Sequence, residues 1–434
     1  MLKIKQGCTR QVKIKYTFTT QKATPFGGLA LITELLNSVK FADCFNNVFG
    51  QFRKVRYFKP YENIQLLLAT ILSGGERLYD IDQLKSDPVL PNLFGNGKVP
   101  ADTTLRDDLE RLGTMNEQRR ELLFRLNAEL FRRQGLRSIT IDIDATALPV
   151  DGHQEGAEKG YCPAEPGSRC FQNLSAVCDQ TKTTLDEETR PGNTHCSLDS
   201  IPFVERILDR FAPLMERIVM RLDTGFFSEA MLKKAEAYPN VIYEIGVPQH
   251  SSMQERVRCL DYKSYHGSPR QYAKFQRFSE PGRWYYVERT RKPFETQLDL
   301  LDTDDYTYRV VVSNDARRQP HTLFGDYNGR GRDEQQIGEL KGEYALGRLV
   351  SGDFRVMRAL TWVSHLAYTL IGLFKRLVLR GEEARLGLRR LRYLLFANVA
   401  YLTHHSREWT LNLCEPRLGE RRFRYYLHRS WALQ

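Results

Sequence analysis

Between residues 327 and 341, the carboxylate of Glu334 is spaced to lie beside two cations and a phenol. In this stretch Arg330, Glu334 and Lys341 are spaced four and seven residues apart. At 3.6 residues per turn, a helix places these three on one face, with Tyr327 one turn earlier. An acidic group beside two cations and a hydroxyl suits a metal ligand that works next to phosphate groups. The alternative is a solvated helix face with ordinary i,i+4 ion pairs.

Further aspartates stand where two predicted strands end. In the first strand, isoleucines alternate with polar residues, which puts Asp142 and Asp144 together on the opposite face. The second is the apolar run 217–222, which is followed directly by Asp223. Each aspartate alone would suit a simple turn. With Glu334 they give three carboxylates in the order Asp, Asp, Glu, each where a regular element ends.

These motifs resemble those of a known enzyme family. The Tyr–Arg–Glu–Lys spacing of residues 327–341 resembles the YREK signature of bacterial DDE insertion-sequence transposases. The blocks 142–146, 151–161, 190–193 and 221–226 resemble motifs of the insertion-sequence thirteen-eighty group within that family. The likeness extends over most of the chain and is strongest in the three acidic blocks.

The resemblance implies a catalytic and metal-binding triad of Asp144, Asp223 and Glu334. Strand-end position and resemblance both favour Asp144 as the first ligand, with Asp142 as the reserve. Two Mg²⁺ ions are the expected cofactors, with Mn²⁺ as a substitute, because hard cations prefer carboxylate oxygens. In the family's chemistry, ions about 3.5–4 Å apart activate the attacking and leaving oxygens of one phosphodiester. Asp144 would bridge both ions.

Four other residues are expected to contact DNA. The resemblance implies that Tyr327, Arg330 and Lys341 hold phosphates and position the strand without reading its sequence. Trp284 lies in a predicted strand and is a candidate for stacking on an unpaired base. A tryptophan buried in a sheet is the alternative for Trp284.

The charge of the chain indicates a polyanionic partner. Formal net charge is +11 and the pI is about 9.2. From Lys375 to the end there are 13 Lys and Arg against 5 Asp and Glu. Two basic clusters suit phosphate contacts: the arginines at 389, 390 and 392, and those at 421, 422 and 424, which have Phe423, Tyr425 and Tyr426 among them. A basic surface that only aids solubility is the alternative. The resemblance implies double-stranded DNA as the partner, both terminal inverted repeats and target, and a homodimer in the synaptic complex.

Other features predict a protein of the bacterial cytoplasm, associated with the nucleoid. The eight cysteines form no C-x-x-C pair, as expected for thiols in a reducing compartment. The first residues lack the apolar core of a cleavable signal. The longest apolar stretch, 359–374, includes Thr, Ser and His residues and is too short for a membrane span. No membrane partner is therefore expected.

The pattern of elements predicts an α/β protein, and the resemblance implies a ribonuclease H-like catalytic core. A β-rich insertion is expected to interrupt this core, between a helical N-terminal domain and a helical, basic C-terminal region. Residues 1 to about 25 suggest a short strand or an extended arm, and 354–378 and 381–401 suggest two long helices. The expected regions are a DNA-end-binding domain (1–130), the first half of the core (135–235), the insertion (236–320), the second half of the core (321–380) and the C-terminal region (381–434).

The sequence thus predicts a transposase that cuts DNA at the ends of an insertion sequence and transfers the strand into target DNA. Two alternatives remain at this point. One is a two-metal nuclease of the same fold that lacks strand transfer. The other is a DNA-binding protein that has no catalytic activity.

Overall fold

The computed structural model describes residues 20–55, 57–163, 165–195, 197–265, 268–292, 305–406 and 408–434. The side chains of residues 331–334 are not among those described, although their backbone is. Residues 1–19, which hold most of the predicted N-terminal strand or arm, lie outside the described residues.

The strands of the described residues are unevenly distributed, with ten of them between residues 138 and 313. They are β1 Ser138–Val150, β2 Glu158–Lys159, β3 Arg169–Cys178, β4 Thr183–Pro191, β5 Arg217–Leu222, β6 Val241–Gly246, β7 Lys263–Ser264, β8 Arg270–Gln276, β9 Trp284–Arg291, β10 Tyr306–Ser313, β11 Ala400–His405 and β12 Glu408–Leu413.

Along the chain, the α-helices lie before, between and after these strands. They are α1 Ala30–Ser38, α2 Phe41–Phe49, α3 Pro60–Ser73, α4 Ile81–Ser86, α5 Leu90–Phe94, α6 Asp102–Thr114, α7 Asn116–Gln134, α8 Ser200–Phe211, α9 Glu229–Glu236, α10 Ser251–Arg258, α11 Pro320–Tyr327, α12 Gly331–Glu343, α13 Phe354–Leu373, α14 Leu388–Leu391 and α15 Glu420–Trp431.

One large mixed sheet organises the molecule. Its order is β2-β3-β1-β5-β6-β10-β9-β8-β7, and β4 pairs with β3 beside this path. Strand β1 is antiparallel to β3 and parallel to β5, which is parallel to β6. Helices α8 and α9 lie in the crossovers that lead to β5 and β6. The mixed sheet with crossover helices confirms the α/β class.

The strands after β6 extend the same sheet. Strand β10 pairs antiparallel with β6, and β9 and β8 follow in turn. Strand β6 lies inside the range 236–320 that was predicted as an insertion, but it is the parallel neighbour of β5. The parallel part of the sheet therefore continues to Gly246, and the later strands add to its edge.

Helix α13 joins the N-terminal helices to the sheet. Its residues are buried on nearly every side, and it packs against α3, α6 and strand β4. In α6, a Cβ added at Gly113 would lie 1.9 Å from the carbonyl oxygen of Arg355, so the two helices approach as closely as their backbones allow. Among the described residues, no helix is both long and apolar enough to cross a membrane.

The C-terminal region differs from the prediction of two long helices. Helix α13 and the π-helical turn Phe374–Val378 account for the first. The second, expected over 381–401, is wrong: only short helical turns occur before the chain enters the hairpin β11–β12. Leucines at helical spacing explain the error, but Ala400 forms a β-bridge with Thr24, and this distant pairing draws the chain into an extended conformation.

Candidate active site

The parallel strands β1 and β5 bring two predicted site residues to the same edge of the sheet. Their ladder ends with the pair Ile143 and Leu222, and the next residues are Asp144 and Asp223. The side chain of Asp144 is 26% exposed and that of Asp223 is 52% exposed. Both carboxylates are thus accessible from solvent where the pairing of β1 with β5 stops. Strand β1 itself continues to Val150 beside β3, so the prediction that Asp144 stands at the end of its strand is wrong.

Arg330 joins these two carboxylates. Its Nη2 lies 3.2 Å from Oδ1 of Asp144, and its Nη1 lies 3.1 Å from Oδ1 of Asp223. The residue ends a short 3₁₀ turn, Asn328–Arg330, that connects α11 to α12. The stretch 327–341 is therefore helical but not one regular α-helix. Within the described side chains, the two carboxylates therefore share the guanidinium of Arg330.

Burial raises the pKa of Asp144 above its usual range. The positive charge of Arg330 opposes this shift, and the negative charge of Asp223 adds to it. A carboxylate that is poorly hydrated and faces a second carboxylate gains stability from any cation placed nearby. The pair is therefore electrostatically suited to bind positive charge.

Tyr327 contacts the strand end that carries Asp223. Its buried hydroxyl donates a hydrogen bond of 2.9 Å to the carbonyl of Leu222. Burial raises the pKa of this phenol, so it remains a donor at neutral pH. At the end of β6, a Cβ on Gly246 would lie 3.0 Å from the same hydroxyl, so glycine leaves room for the contact.

Lys341 approaches β1 beyond Asp144. Its Nζ donates a hydrogen bond of 2.8 Å to the carbonyl of Ala147. Burial lowers the pKa of the ammonium, while the negative charge of Asp144 acts in the opposite direction. Tyr327 and Arg330 contact the end of β5, and Arg330 and Lys341 contact the second half of β1, so the helical segment lies beside these two strands.

Asp142, the reserve ligand, has a different environment. Its two oxygens accept hydrogen bonds of 2.5 and 2.6 Å from Arg221, and the side chains are only 2% and 3% exposed. Arg221 also lies 3.2 Å from Asp179 and donates to the carbonyl of Asp326 at 2.6 Å. The sequence reasoning missed this pair. The available signal was the opposite charge of two residues at paired positions of β1 and β5.

Comparison with protein families identifies the class of the molecule. The family described as "Transposase DDE domain group 1" matches residues 6–430, nearly the whole chain. The chain belongs to this DDE transposase family. The prediction of a DDE transposase is thereby confirmed.

Two solved transposase structures show some similarity to this DDE transposase. The piggyBac transposase synaptic complex with hairpin DNA has 12% identity and a TM-score of 0.44, covering 87% of this chain and 82% of that one. The Mos1 transposase paired-end complex with left transposon end has 13% identity and a TM-score of 0.17, covering 47% and 63%. No curated protein sequence matches the chain.

The third predicted acid of this DDE transposase lies in α12. The backbone of Glu334 follows Arg330 by about one turn and precedes Lys341, but its side chain is not described. Among the side chains that are described, no three His, Cys, Asp or Glu residues are arranged to hold a metal ion. The convergence of Glu334 with the two aspartates therefore stays a prediction.

Trp284 begins β9, on the extended part of the sheet. It is half-buried, and the ammonium of Lys274 lies 5.1 Å from its ring. Three strand spacings separate β9 from β5, about 14 Å at the usual distance between strands. The candidate role of Trp284 in base stacking stays a prediction.

Proposed function

We propose that this DDE transposase, of the insertion-sequence thirteen-eighty group, cuts DNA at the ends of an insertion sequence and transfers the cut strand into target DNA. The observation that carries the proposal is the shared contact of Asp144 and Asp223 with the guanidinium of Arg330. Two carboxylates that hold one cation where the pairing of β1 with β5 stops are the donors that a metal-dependent phosphotransferase needs.

The donor set fits divalent magnesium. Asp144, Asp223 and Glu334 would hold two Mg²⁺ ions, or Mn²⁺ in their place, because these hard cations bind carboxylate oxygens in preference to other side chains. When bound, the ions would supply Lewis-acid activation of water or a terminal 3′-hydroxyl and stabilise the leaving oxygen. Asp142 is excluded from this set in our proposal, since Arg221 already occupies both of its oxygens.

The remaining residues bind and orient the DNA strand. Arg330 lies against both carboxylates, so its guanidinium is close enough to donate to a phosphate oxygen held at the same edge. Lys341 lies further along β1 and would bind a neighbouring phosphate as a point charge. Tyr327 acts by holding the Leu222 carbonyl and thus the position of Asp223, which modifies its expected role as a direct phosphate ligand.

The proposed partners follow from the activity. Residues 1–130 would bind the terminal inverted repeats, and a homodimer would hold two ends together in the synaptic complex. The protein would act on the nucleoid in the bacterial cytoplasm.

The test uses the purified chain and a labelled duplex from the DNA that flanks the coding region. With Mg²⁺ present, we expect cleavage at the element end and joining of its 3′ end to a second DNA, both absent for Asp144→Asn. Asp151→Asn, an exposed acid on the loop after β1, is the matched control and should be active. Cleavage without joining would support a nuclease instead, and binding without either reaction would support an inactive binding protein.

A further inference from the structure

Several arginines near the C terminus are anchored to the protein itself. Arg392 donates to carbonyl groups at the end of α3, at 2.8 and 3.1 Å. Arg422 pairs with Glu383 at 2.9 Å, and Arg424 pairs with Glu420 at 2.6 Å. These guanidinium groups stabilise the C-terminal region and are poorly placed to bind another molecule.

Three other arginines keep their charges available. Arg389, Arg390 and Arg417 are exposed, and none has a carboxylate partner within the part of the chain that the structure describes. Their backbone is nevertheless fixed. The amide of Arg389 donates to Glu343 at 2.7 Å, and that of Arg417 donates to Asn398 at 3.0 Å. The local fold therefore holds three unneutralised cations at its surface.

The ring of an exposed tyrosine contacts two of these guanidinium groups and restricts their orientation. Tyr393 is 53% exposed, and the guanidinium carbons of Arg390 and Arg417 lie 5.4 and 4.3 Å from its ring centroid. Arg417 also donates to the carbonyl of Tyr393 at 2.9 Å. Cation–π contacts restrict the orientation of each guanidinium and reduce the entropy lost when it binds an anion. We call Arg389, Arg390, Tyr393 and Arg417 the arginine–tyrosine patch.

The patch lies at the far end of the helix that starts beside the active site. Helix α12 has 13 residues and begins directly after Arg330, and Glu343 at its last position holds the amide of Arg389. At 1.5 Å per residue the helix is about 20 Å long. At 3.4 Å per base pair, this distance corresponds to about six base pairs of duplex.

We propose that the arginine–tyrosine patch binds the phosphate backbone of the terminal DNA duplex about six base pairs from the scissile phosphate, given the 3.4 Å rise per base pair. This inference rests on the proposed function, since it requires a DNA end in the active site. The occupant is a polyanion because three cations face solvent without a counter-charge, and fixed guanidinium groups suit phosphate oxygens. The contact carries no base information, so it sets affinity and register of the duplex.

The experiment measures binding of the full-length chain to two element-end duplexes that extend about 4 and about 20 base pairs from the cut, lengths that lie on either side of the proposed contact. The test variant is Arg389→Ala/Arg390→Ala/Arg417→Ala. The control variant is Arg132→Ala/Arg137→Ala/Lys233→Ala, which loses the same charge from exposed residues that are paired with carboxylates.

We expect the test variant to lose at least about tenfold in affinity for the long duplex. The slope of log affinity against log salt should fall by about 2–3, near 0.9 for each lost phosphate contact. Affinity for the short duplex, and the cleavage rate of that duplex at saturating enzyme, should match those of the unmodified protein. The control variant should bind both duplexes as the unmodified protein does.

Three results would overturn the inference: unchanged affinity for the long duplex, equal losses on both duplexes, or a loss confined to target DNA without an element end. Failure of the proposed function would appear differently, as absence of Mg²⁺-dependent cleavage by the unmodified protein. Tyr393→Leu provides a second readout. It keeps every charge, so a smaller loss on the long duplex with an unchanged salt slope would support orientation of the arginines by the ring.

Discussion

Two rows of charged residues cross β1 and β5, two positions apart along each strand. In the first row, Asp142 and Arg221 are buried and directly paired. In the second, Asp144 and Asp223 are partly exposed and share the guanidinium of Arg330. The same residue type on the same strand thus occupies two environments that differ in solvent access and in how the arginine contacts the carboxylate oxygens.

The difference separates stabilisation from reactivity. Both oxygens of Asp142 accept hydrogen bonds from Arg221, which also contacts Asp179 and the carbonyl of Asp326. The row therefore gains nothing from another cation. In the second row, Arg330 contacts Oδ1 of Asp144 and Oδ1 of Asp223, and burial raises the pKa of Asp144. Carboxylates whose negative charge is not fully balanced by neighbouring cations are the ones able to bind divalent ions. The predictions below test whether the two rows have these separate roles.

The largest expected effect on stability is in the buried row. Replacing Asp142 by Ala should lower the free energy of unfolding by about 3–5 kcal/mol, because Arg221 would remain buried without its main counter-charge. Urea denaturation followed by circular dichroism measures this loss. Asp151→Ala, at an exposed position, is the control and should change the value little. A loss under about 1 kcal/mol for Asp142→Ala would mean that the pair is not the buried anchor described here.

Arg330 should matter for cleavage more than for stability. We expect Arg330→Ala to slow end cleavage about 10- to 100-fold, since a charge-assisted contact of this kind contributes about 1.5–3 kcal/mol. Arg330→Lys should restore only part of the rate, because an ammonium cannot form the bidentate contact of a guanidinium. Single-turnover cleavage rates provide the measurement. A faster reaction in Arg330→Ala would show instead that the arginine blocks the carboxylates.

Glu244 extends the buried row into β6 and should make stability depend on pH. It is paired with Arg318, and burial raises its pKa to about 7. Because folding raises this pKa, the stabilisation is complete below the ordinary value of 4.5 and disappears as pH rises through about 7. Across that window, its contribution to the free energy of unfolding should fall by up to about 1.4 kcal/mol per pH unit.

Glu244→Gln should make the free energy of unfolding depend less steeply on pH. Urea denaturation at several pH values measures this dependence. The matched variant Glu216→Gln, at an exposed acid, should keep the slope of the unmodified protein. If Glu244→Gln keeps the same slope of unfolding free energy against pH as the unmodified protein, the pH dependence comes from other groups.

Tyr327 should give the smallest effect. Tyr327→Phe removes only the hydrogen bond to the carbonyl of Leu222, so the free energy of unfolding should fall by about 1 kcal/mol. If the hydroxyl positions Asp223, cleavage should slow at saturating DNA while the affinity for DNA stays the same. Weaker DNA binding with an unchanged rate would favour the direct phosphate contact that the sequence suggests.

The sequence predicts the end of β5 at Asp223 because its signal is local, but it places the end of β1 too early, since that strand continues to Val150. Alternating isoleucines locate Asp144, and the end of an apolar run locates Asp223. Neither signal requires knowledge of the sheet. The pairing of Asp142 with Arg221 depends on the register between β1 and β5, which is a property of the folded sheet. The role of Arg330 as a bridge likewise requires the relative position of α12 and the two strands.

The prediction of a long helix over 381–401 failed for a related reason. Leu388, Leu391 and Leu395 have helical spacing, and all three are buried as such a pattern predicts. The hairpin that follows depends on the contact of Ala400 with Thr24, far away in the sequence. Local periodicity therefore identified the buried helical turns up to Phe396 but not the hairpin that follows them.

The most direct test of the two-row account is metal binding by single-carboxylate variants. Mn²⁺ binding, followed by electron paramagnetic resonance, should be at least about tenfold weaker in Asp144→Asn than in the unmodified protein, because a ligand is lost. In Asp142→Asn, measured where circular dichroism shows it folded, affinity should stay near that of the unmodified protein. Unchanged Mn²⁺ affinity in Asp144→Asn, or a loss confined to Asp142→Asn, would contradict the assignment of the metal to the exposed row.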